Sequence, residues 1–180
     1  MEQEIIKQCK KGNLKEFEKL YDSYFKKIYR FIYYRTGHKE TAEDITSQTF
    51  IKALEKIQGF DLGRGTFSAW IYCIARNKVI DHYRTRKSEL DISEVWGLGK
   101  DPSLDIEYRD RLREAENYLK KIKKDQREIV LMRVWDDLSY KEIAEITGKS
   151  EANCKMIFSR TIGKLKEEIV LLLILLSIYG

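Results

Sequence analysis

The chain has 180 residues, 43% of them hydrophobic and 35% charged, with 34 Lys/Arg against 29 Asp/Glu for a net charge of +5. Its three cysteines (Cys9, Cys73, Cys154) lie far apart, no CxxC occurs, and His38 and His82 are the only histidines, which excludes a disulfide framework and a zinc cluster. No metal site or other cofactor is expected, and a reducing cytoplasm fits this cysteine usage; the charged N-terminus from Glu2 onward argues against a signal peptide.

The charge is uneven. Residues 1–87 carry 18 basic and 11 acidic side chains, residues 88–111 carry 3 and 7, and residues 112–180 carry 13 and 11. Two basic bodies around an acidic connector suit a polyanion held at two separated places.

Hydrophobic periodicity predicts an all-α protein, two small helical domains joined by a flexible linker. The first helix spans about residues 2–10 and stops at Gly12. Asn13, with Glu16 three residues on, predicts an N-cap for the second helix. In that helix Phe17, Leu20, Tyr21, Tyr24, Phe25, Ile28, Phe31 and Ile32 form an apolar stripe ending at Gly37, a pattern that reads as core. A third helix runs from about Thr41 to Ile57, with Ile45, Thr49, Ile51, Ala53 and Leu54 expected inside. Three glycines in residues 58–65 demand a sharp turn.

The fourth helix, about residues 66–86, is the most informative segment. It places Phe67, Trp70 and Tyr72 close together and follows them with Arg76, Lys78, Arg84, Arg86 and Lys87. Unpaired bases need flat aromatic faces to stack on and cations along their phosphates, and this helix holds both. Over this segment alone, an amphipathic helix with a solvated basic face fits equally well. Phe67, Trp70, Ile71 and Ile74 share one face, so part of the aromatic cluster belongs to the core.

Residues 88–111 are acidic, with Gly97, Gly99 and Pro102 as breakers, and read as the linker. Beyond it, Ile122, Ile129, Val130, Met132, Arg133 and Val134 fall in helical segments ending near Trp135. Ser139 with Glu142 predicts a capping box, Gly148 a helix stop and Ser150 the next cap, after which Cys154, Phe158, Thr161 and Leu165 form an inward stripe. A short helix, a glycine turn and a second amphipathic helix predict a helix-turn-helix, whose second helix enters a major groove. Residues 169–178, IVLLLILLSI, are too few to span a bilayer and read as a helix that packs on its own lobe or on a partner, with membrane contact or a disordered tail as the other readings.

Three stretches together resemble a known family. AEDITSQTFIKALEKI (42–57), FSAWIYCIARNKVIDHYRTRK (67–87) and REIVLMRVWDDLSYKEIAEITGKSEANCK (127–155) occur in the order found in bacterial RNA polymerase sigma factors of the extracytoplasmic-function (ECF) group of the sigma-70 family. The resemblance covers about residues 4–168. It implies four parts: residues 1–87 as sigma region 2, 88–111 as linker, 112–168 as sigma region 4, and 169–180 as an apolar tail. The implied function is to bind core RNA polymerase, recognise promoter −35 and −10 elements and promote DNA melting for transcription initiation.

The resemblance also assigns residues. Asp44, Ser47, Gln48 and Phe50 are implied to meet the polymerase; the family's amide usually stands where this chain has Ser47. Phe60, Arg64, Trp70, Arg76, Asn77, Asp81, Arg84, Arg86 and Lys87 are implied to meet the −10 region, the turn at residues 60–65 taking a base flipped from the non-template strand. Lys149, Ser150, Glu151, Ala152, Lys155, Ser159 and Arg160 are implied to approach the −35 groove. Ile157 stands where the family commonly has Arg, and the apolar tail replaces a polar ending. Partners implied are core RNA polymerase, promoter DNA (duplex and melted non-template strand) and an anti-sigma factor, with no small-molecule substrate. Such an inhibitor, or the tail, would bring a cytoplasmic protein close to a membrane.

No enzyme constellation is present: His82 adjoins Asp81, but neighbouring helix residues point apart and no third partner stands near in sequence. The competing reading is a helix-turn-helix regulator that works without core polymerase. It accounts for residues 112–168 and leaves the helix of Asp44 and the aromatic-basic helix unexplained.

Overall fold

The computed structural model describes residues 1–85 and 121–179, with Thr85 and residues 167–179 described by backbone alone. The expected linker, the start of the second domain at residue 112, and Arg86 and Lys87 lie outside the described residues. Every regular element among the described residues is helical.

Helix α1 (Glu2–Lys10) has Glu2 and Glu4 in its first turn and Lys7 and Lys10 in its last, the charge order that complements a helix dipole, and it buries Ile6 and Cys9. The Asn13 cap expected from the sequence is not formed. The N–H groups of Gly12 and Asn13 turn back onto the carbonyls of Cys9 and Gln8. A 3-10 turn (Leu14–Glu16) then leads into α2 (Phe17–Thr36). Helix α2 buries Leu20, Tyr24, Ile28, Phe31 and Ile32 as its stripe predicts, and ends at Gly37 with φ +63°, a left-handed stop that glycine adopts without Cβ strain.

Helix α3 (Lys39–Lys56) turns Ala42, Ile45, Thr46, Thr49, Phe50 and Ala53 inward. Ile51, expected inside, is 59% exposed, because contact of Phe50 with Tyr21 and Phe25 of α2 fixes the rotation of α3. After a second 3-10 turn (Ile57–Gly59) and a loop comes α4 (Phe67–Thr85). Thr66 caps it, its hydroxyl accepting from the N–H of Ala69 at 3.1 Å. Helices α2, α3 and α4 pack on one another around Phe31, Phe67, Ile71 and Tyr72.

In the second lobe α5 (Lys124–Val134), α6 (Tyr140–Thr147) and α7 (Glu151–Tyr179) pack mutually. Asp137 between α5 and α6 has φ +52°, a conformation that Asp and Asn tolerate better than other side chains. The apolar tail continues α7 without a break as far as Tyr179. The lobes are not isolated bodies. Ile129, Met132, Leu138, Ile143, Ile146 and Cys154 belong to one buried cluster with Phe31, Phe67 and Tyr72, and α4 is the helix against which α6 packs.

Candidate nucleic-acid interface

The helix-turn-helix is set by local chemistry. Ser139 Oγ accepts from the N–H of Glu142 at 3.2 Å, while the N–H of Ser139 donates to Glu142 Oε2 at 2.9 Å, so both halves of the capping box are present. Burial works to raise the Glu142 carboxyl, but hydrogen bonds from Ser139, Ser68 and Thr66 outweigh it and hold the group below the usual carboxylate range. Gly148 stops α6 at φ +70°, and Ser150 Oγ receives the N–H of Asn153 at 3.2 Å to start α7.

On α7, Cys154 and Thr161 face inward, which turns Glu151, Ala152, Lys155, Ser159 and Arg160 outward, all exposed. The Lys155 ammonium lies 5.8 Å from the centre of the Tyr140 ring. Ser150 is exposed, and Lys149 is half-buried with its ammonium 2.9 Å from Asp125, whose carboxyl it holds down by hydrogen bonding. Ile157 is half-buried against the core, so the side chain at the family's usual Arg position serves packing. Met156 beside it is the outward-facing residue, at 44% exposure.

The residues expected to meet the polymerase divide. Asp44, Ser47 and Gln48 are exposed on α3, Gln48 Nε2 donating to Asp44 Oδ2 at 2.9 Å and Gln48 Oε1 accepting from Lys78 at 3.4 Å. Phe50 is 4% exposed and lies behind them against Tyr21 and Phe25, so it supports that face rather than presenting a ring. Ile51 lies three and four residues beyond Gln48 and Ser47, so it shares their exposed side of the helix.

Around α4 the expected −10 residues also divide. Phe60 is 6% exposed, its ring 4.9 Å from that of Trp70 and 6.0 Å from that of Phe67, so it belongs to the core and offers no free face to a base. Trp70 is half-buried in the same group. Arg64 is exposed with its guanidinium 3.3 Å from Asp61, Asn77 is exposed, and Arg84 lies 3.0 Å from Asp81. Arg76 is engaged across the lobes: its Nε and Nη2 donate to Glu128 Oε1 at 2.9 Å and Oε2 at 3.3 Å, a fork that keeps it protonated.

Further contacts join the two lobes. Thr66 Oγ1 donates to Glu142 Oε1 at 3.1 Å, and Arg30 donates to the carbonyl of Trp135. Asp136 is almost fully buried, 3.9 Å from Arg30, and burial outweighs the nearby Arg35 and Arg30 charges to raise its carboxyl to about 6. Arg35 is itself buried, stacked 3.4 Å over the Phe31 ring, with Nη1 donating to the Phe31 carbonyl. The partners that join the lobes, Thr66 with Glu142 and Arg30 with Trp135 and Asp136, are distant in sequence, so no local pattern announces them.

Residues 20–89 match the family Sigma-70 region 2, and residues 112–165 match Sigma-70, region 4. The chain is 33% identical to the RNA polymerase sigma factor YlaC of Bacillus subtilis over 156 residues, covering 83% of this chain and 90% of that protein. It is 34% identical to the ECF RNA polymerase sigma factor BldN of Streptomyces coelicolor over 170 residues, covering 90% of this chain but only 63% of that longer protein. In fold it is similar to CnrH, solved in complex with the cytosolic domain of CnrY, at a TM-score of 0.67 and 21% identity over 92% of this chain and 94% of that one. No helix among the described residues is long and apolar enough to cross a membrane. Two region matches in this order, together with relatives that span most of the chain, show that it belongs to the ECF group of the sigma-70 family, RNA polymerase sigma factors that act in transcription initiation and are not enzymes.

Proposed function

We propose that this sigma factor binds core RNA polymerase through the α3 face of Asp44, Ser47, Gln48 and Ile51, reads a −35 element with α7 and engages and opens the −10 region with α4. The observation that carries the reading is α7: a capped helix-turn-helix whose inner side is held by Cys154 and Thr161 and whose outer side carries Lys155, Ser159 and Arg160 in solvent. Cations on that face neutralise phosphates without sequence preference, and base-edge contacts from the same helix add the preference. With Ile157 turned to the core, Lys149, Lys155 and Arg160 supply the positive charge toward the groove.

On α4, Asn77 and the Arg84 region reach the strand that leaves the duplex, and Trp70 supplies the aromatic surface, since Phe60 is occupied in packing. Each extruded base costs a few kcal/mol of stacking, which contacts on α4 offset once the polymerase holds the DNA in place. An anti-sigma factor belongs to the same reading: a sigma factor of similar fold, RpoE of Bartonella quintana (TM-score 0.65, 24% identity), was solved with the anti-sigma factor NepR.

Run-off transcription with core enzyme, followed by start-site mapping, tests the reading. Discrete starts that depend on this chain support it. Duplex binding by the chain alone, with no association with core enzyme at modest ionic strength, replaces it with a polymerase-independent helix-turn-helix regulator.

A further inference from the structure

A cavity of about 60 Å³ lies where α2, α4 and α5 meet at the seam between the lobes. Its charged lining is Arg35, Arg76, Lys124 and Glu128, three cations against one carboxylate. Val79, Ile80 and Tyr83 of α4 form an apolar wall beside them. A water needs roughly 10–15 Å³ of such space, so the cavity holds a few waters or one compact oxyanion. Ile80 and Lys124 are exposed, so its mouth opens to solvent on their side.

The cavity is short of negative charge. Glu128 is spent on the Arg76 fork, and Asp125, next to Lys124, is held by Lys149 at 2.9 Å. Arg35 is 8% exposed; its Nη1 donates to the Phe31 carbonyl, while its buried Nη2 has no hydrogen-bond partner among the described residues. Burial pulls this guanidinium below its ordinary value, against the fields of Asp136 and Glu128, yet a guanidinium keeps its proton. A buried cation whose donors are not all met is costly, and an anion brought beside it lowers that cost. Lys124 stands in the first turn of α5, which starts without a side-chain cap, so the positive end of that helix dipole adds to the same wall.

We propose that this cavity is a binding site for a small phosphomonoester, whose phosphate sits among Arg35, Arg76 and Lys124 and whose apolar body lies against Val79, Ile80 and Tyr83. With Glu128 set against Arg76, the charges of Arg35 and Lys124 remain. A phosphomonoester carries about −1.5 to −2 at pH 7 with three acceptor oxygens, which answers both; a carboxylate or a nucleic-acid phosphodiester brings a single charge. The site goes beyond the sigma-factor reading and does not depend on it, since its residues come together in the chain alone.

The test uses the full chain without polymerase and phenyl phosphate as probe, in calorimetric titration and thermal unfolding against sodium chloride of equal ionic strength. The probe is expected to raise the unfolding temperature and to bind about fivefold more tightly than inorganic phosphate, because its ring gains from the apolar wall. Lys124→Gln, at an exposed position, is expected to weaken binding about fivefold by removing a charge-assisted contact. Lys26→Gln, an exposed cation on α2 outside the cavity lining, controls for net charge and should leave binding unchanged. Arg35→Met should abolish it; should that variant fold poorly by circular dichroism, Lys124→Gln decides the same question. A rise in unfolding temperature no greater than chloride gives, or equal affinity in Lys124→Gln and Lys26→Gln, overturns the site. Displacement of the probe by an equal concentration of oligothymidine without a terminal phosphate assigns the cavity to a nucleic-acid backbone and overturns the phosphomonoester. Neither readout involves polymerase. A chain that gives run-off transcripts but binds no probe refutes only this site; one that binds the probe but cannot use core enzyme refutes only the sigma reading.

Discussion

On α7 the side chains proposed to meet nucleic acid stand in solvent, whereas on α4 Arg76 is held by Glu128 of the other lobe. Both helices carry the same kinds of residue, and both start at a hydroxyl cap, Ser150 and Thr66. The difference lies in what packs behind and over each. Helix α7 rests on its own lobe through Cys154 and Thr161 and leaves its far side open. Helix α4 is buried on one side by α2 and α3 and covered on part of the other by α6. A basic helix is therefore only as available as its surroundings allow, and the two helices proposed to face DNA differ in that availability.

The harshest way to break this contrast is to hollow out the seam. Ile143 is fully buried in the cluster shared by the lobes, so Ile143→Ala should cost about 2–5 kcal/mol in urea unfolding. It should also loosen α6 from α4, which limited proteolysis would detect. A loss under about 1 kcal/mol would mean that the lobes do not share a core.

Next in size is pH. The Asp136 carboxyl rises from 3.8 to about 6 because burial disfavours its charged form, against Arg30 and Arg35 of α2, with Tyr72 of α4 also in its field. A raised carboxyl contributes stability that is fully present below 3.8 and is lost as pH rises through about 6. Burial of Asp136 should therefore cost roughly 2–3 kcal/mol less stability at pH 4 than at pH 7. Asp125 and Glu142, both held low, act in the opposite sense as the pH falls below the ordinary carboxylate range. Urea unfolding followed against pH reads the effect, and Asp136→Asn should flatten it.

DNA binding sharpens the contrast directly. Lys155→Ala with Arg160→Ala should weaken duplex binding by the free chain by about 1–3 kcal/mol, while Arg76→Ala should change it less than about twofold, because Glu128 already occupies that fork. In polymerase-bound open-complex assays the Arg76→Ala defect should become much larger. Equal losses in the free chain would show that Arg76 is already accessible. The smallest effect is local: Ser139→Ala removes one half of the capping box and should cost about 1 kcal/mol of stability by urea titration, without altering the α4 side of the molecule.

The helix-turn-helix was fully legible because its signals act over three or four residues: Ser139 with Glu142, Gly148, and Ser150 with Asn153. The same kind of signal at Asn13 did not hold, since Gly12 and Asn13 spend their N–H groups on α1 and a 3-10 turn takes the place of the cap. Phe60 and Phe50 were expected at surfaces and lie in packing. An aromatic ring suits either place by its chemistry, and its neighbours in space, Trp70 and Phe67 for one, Tyr21 and Phe25 for the other, decide which.

Sequence by itself determined the helices, the caps of the helix-turn-helix, the inward stripe of α2 and the family, because each of these is written in spacings shorter than a few turns or in long runs of matching residues. Only the tertiary structure decided that Arg76 meets Glu128, that Asp136 is buried beside Arg30, and that the two lobes share one core. Those pairs join residues 52 and 106 positions apart in the chain, and no local periodicity encodes a distance that only folding creates.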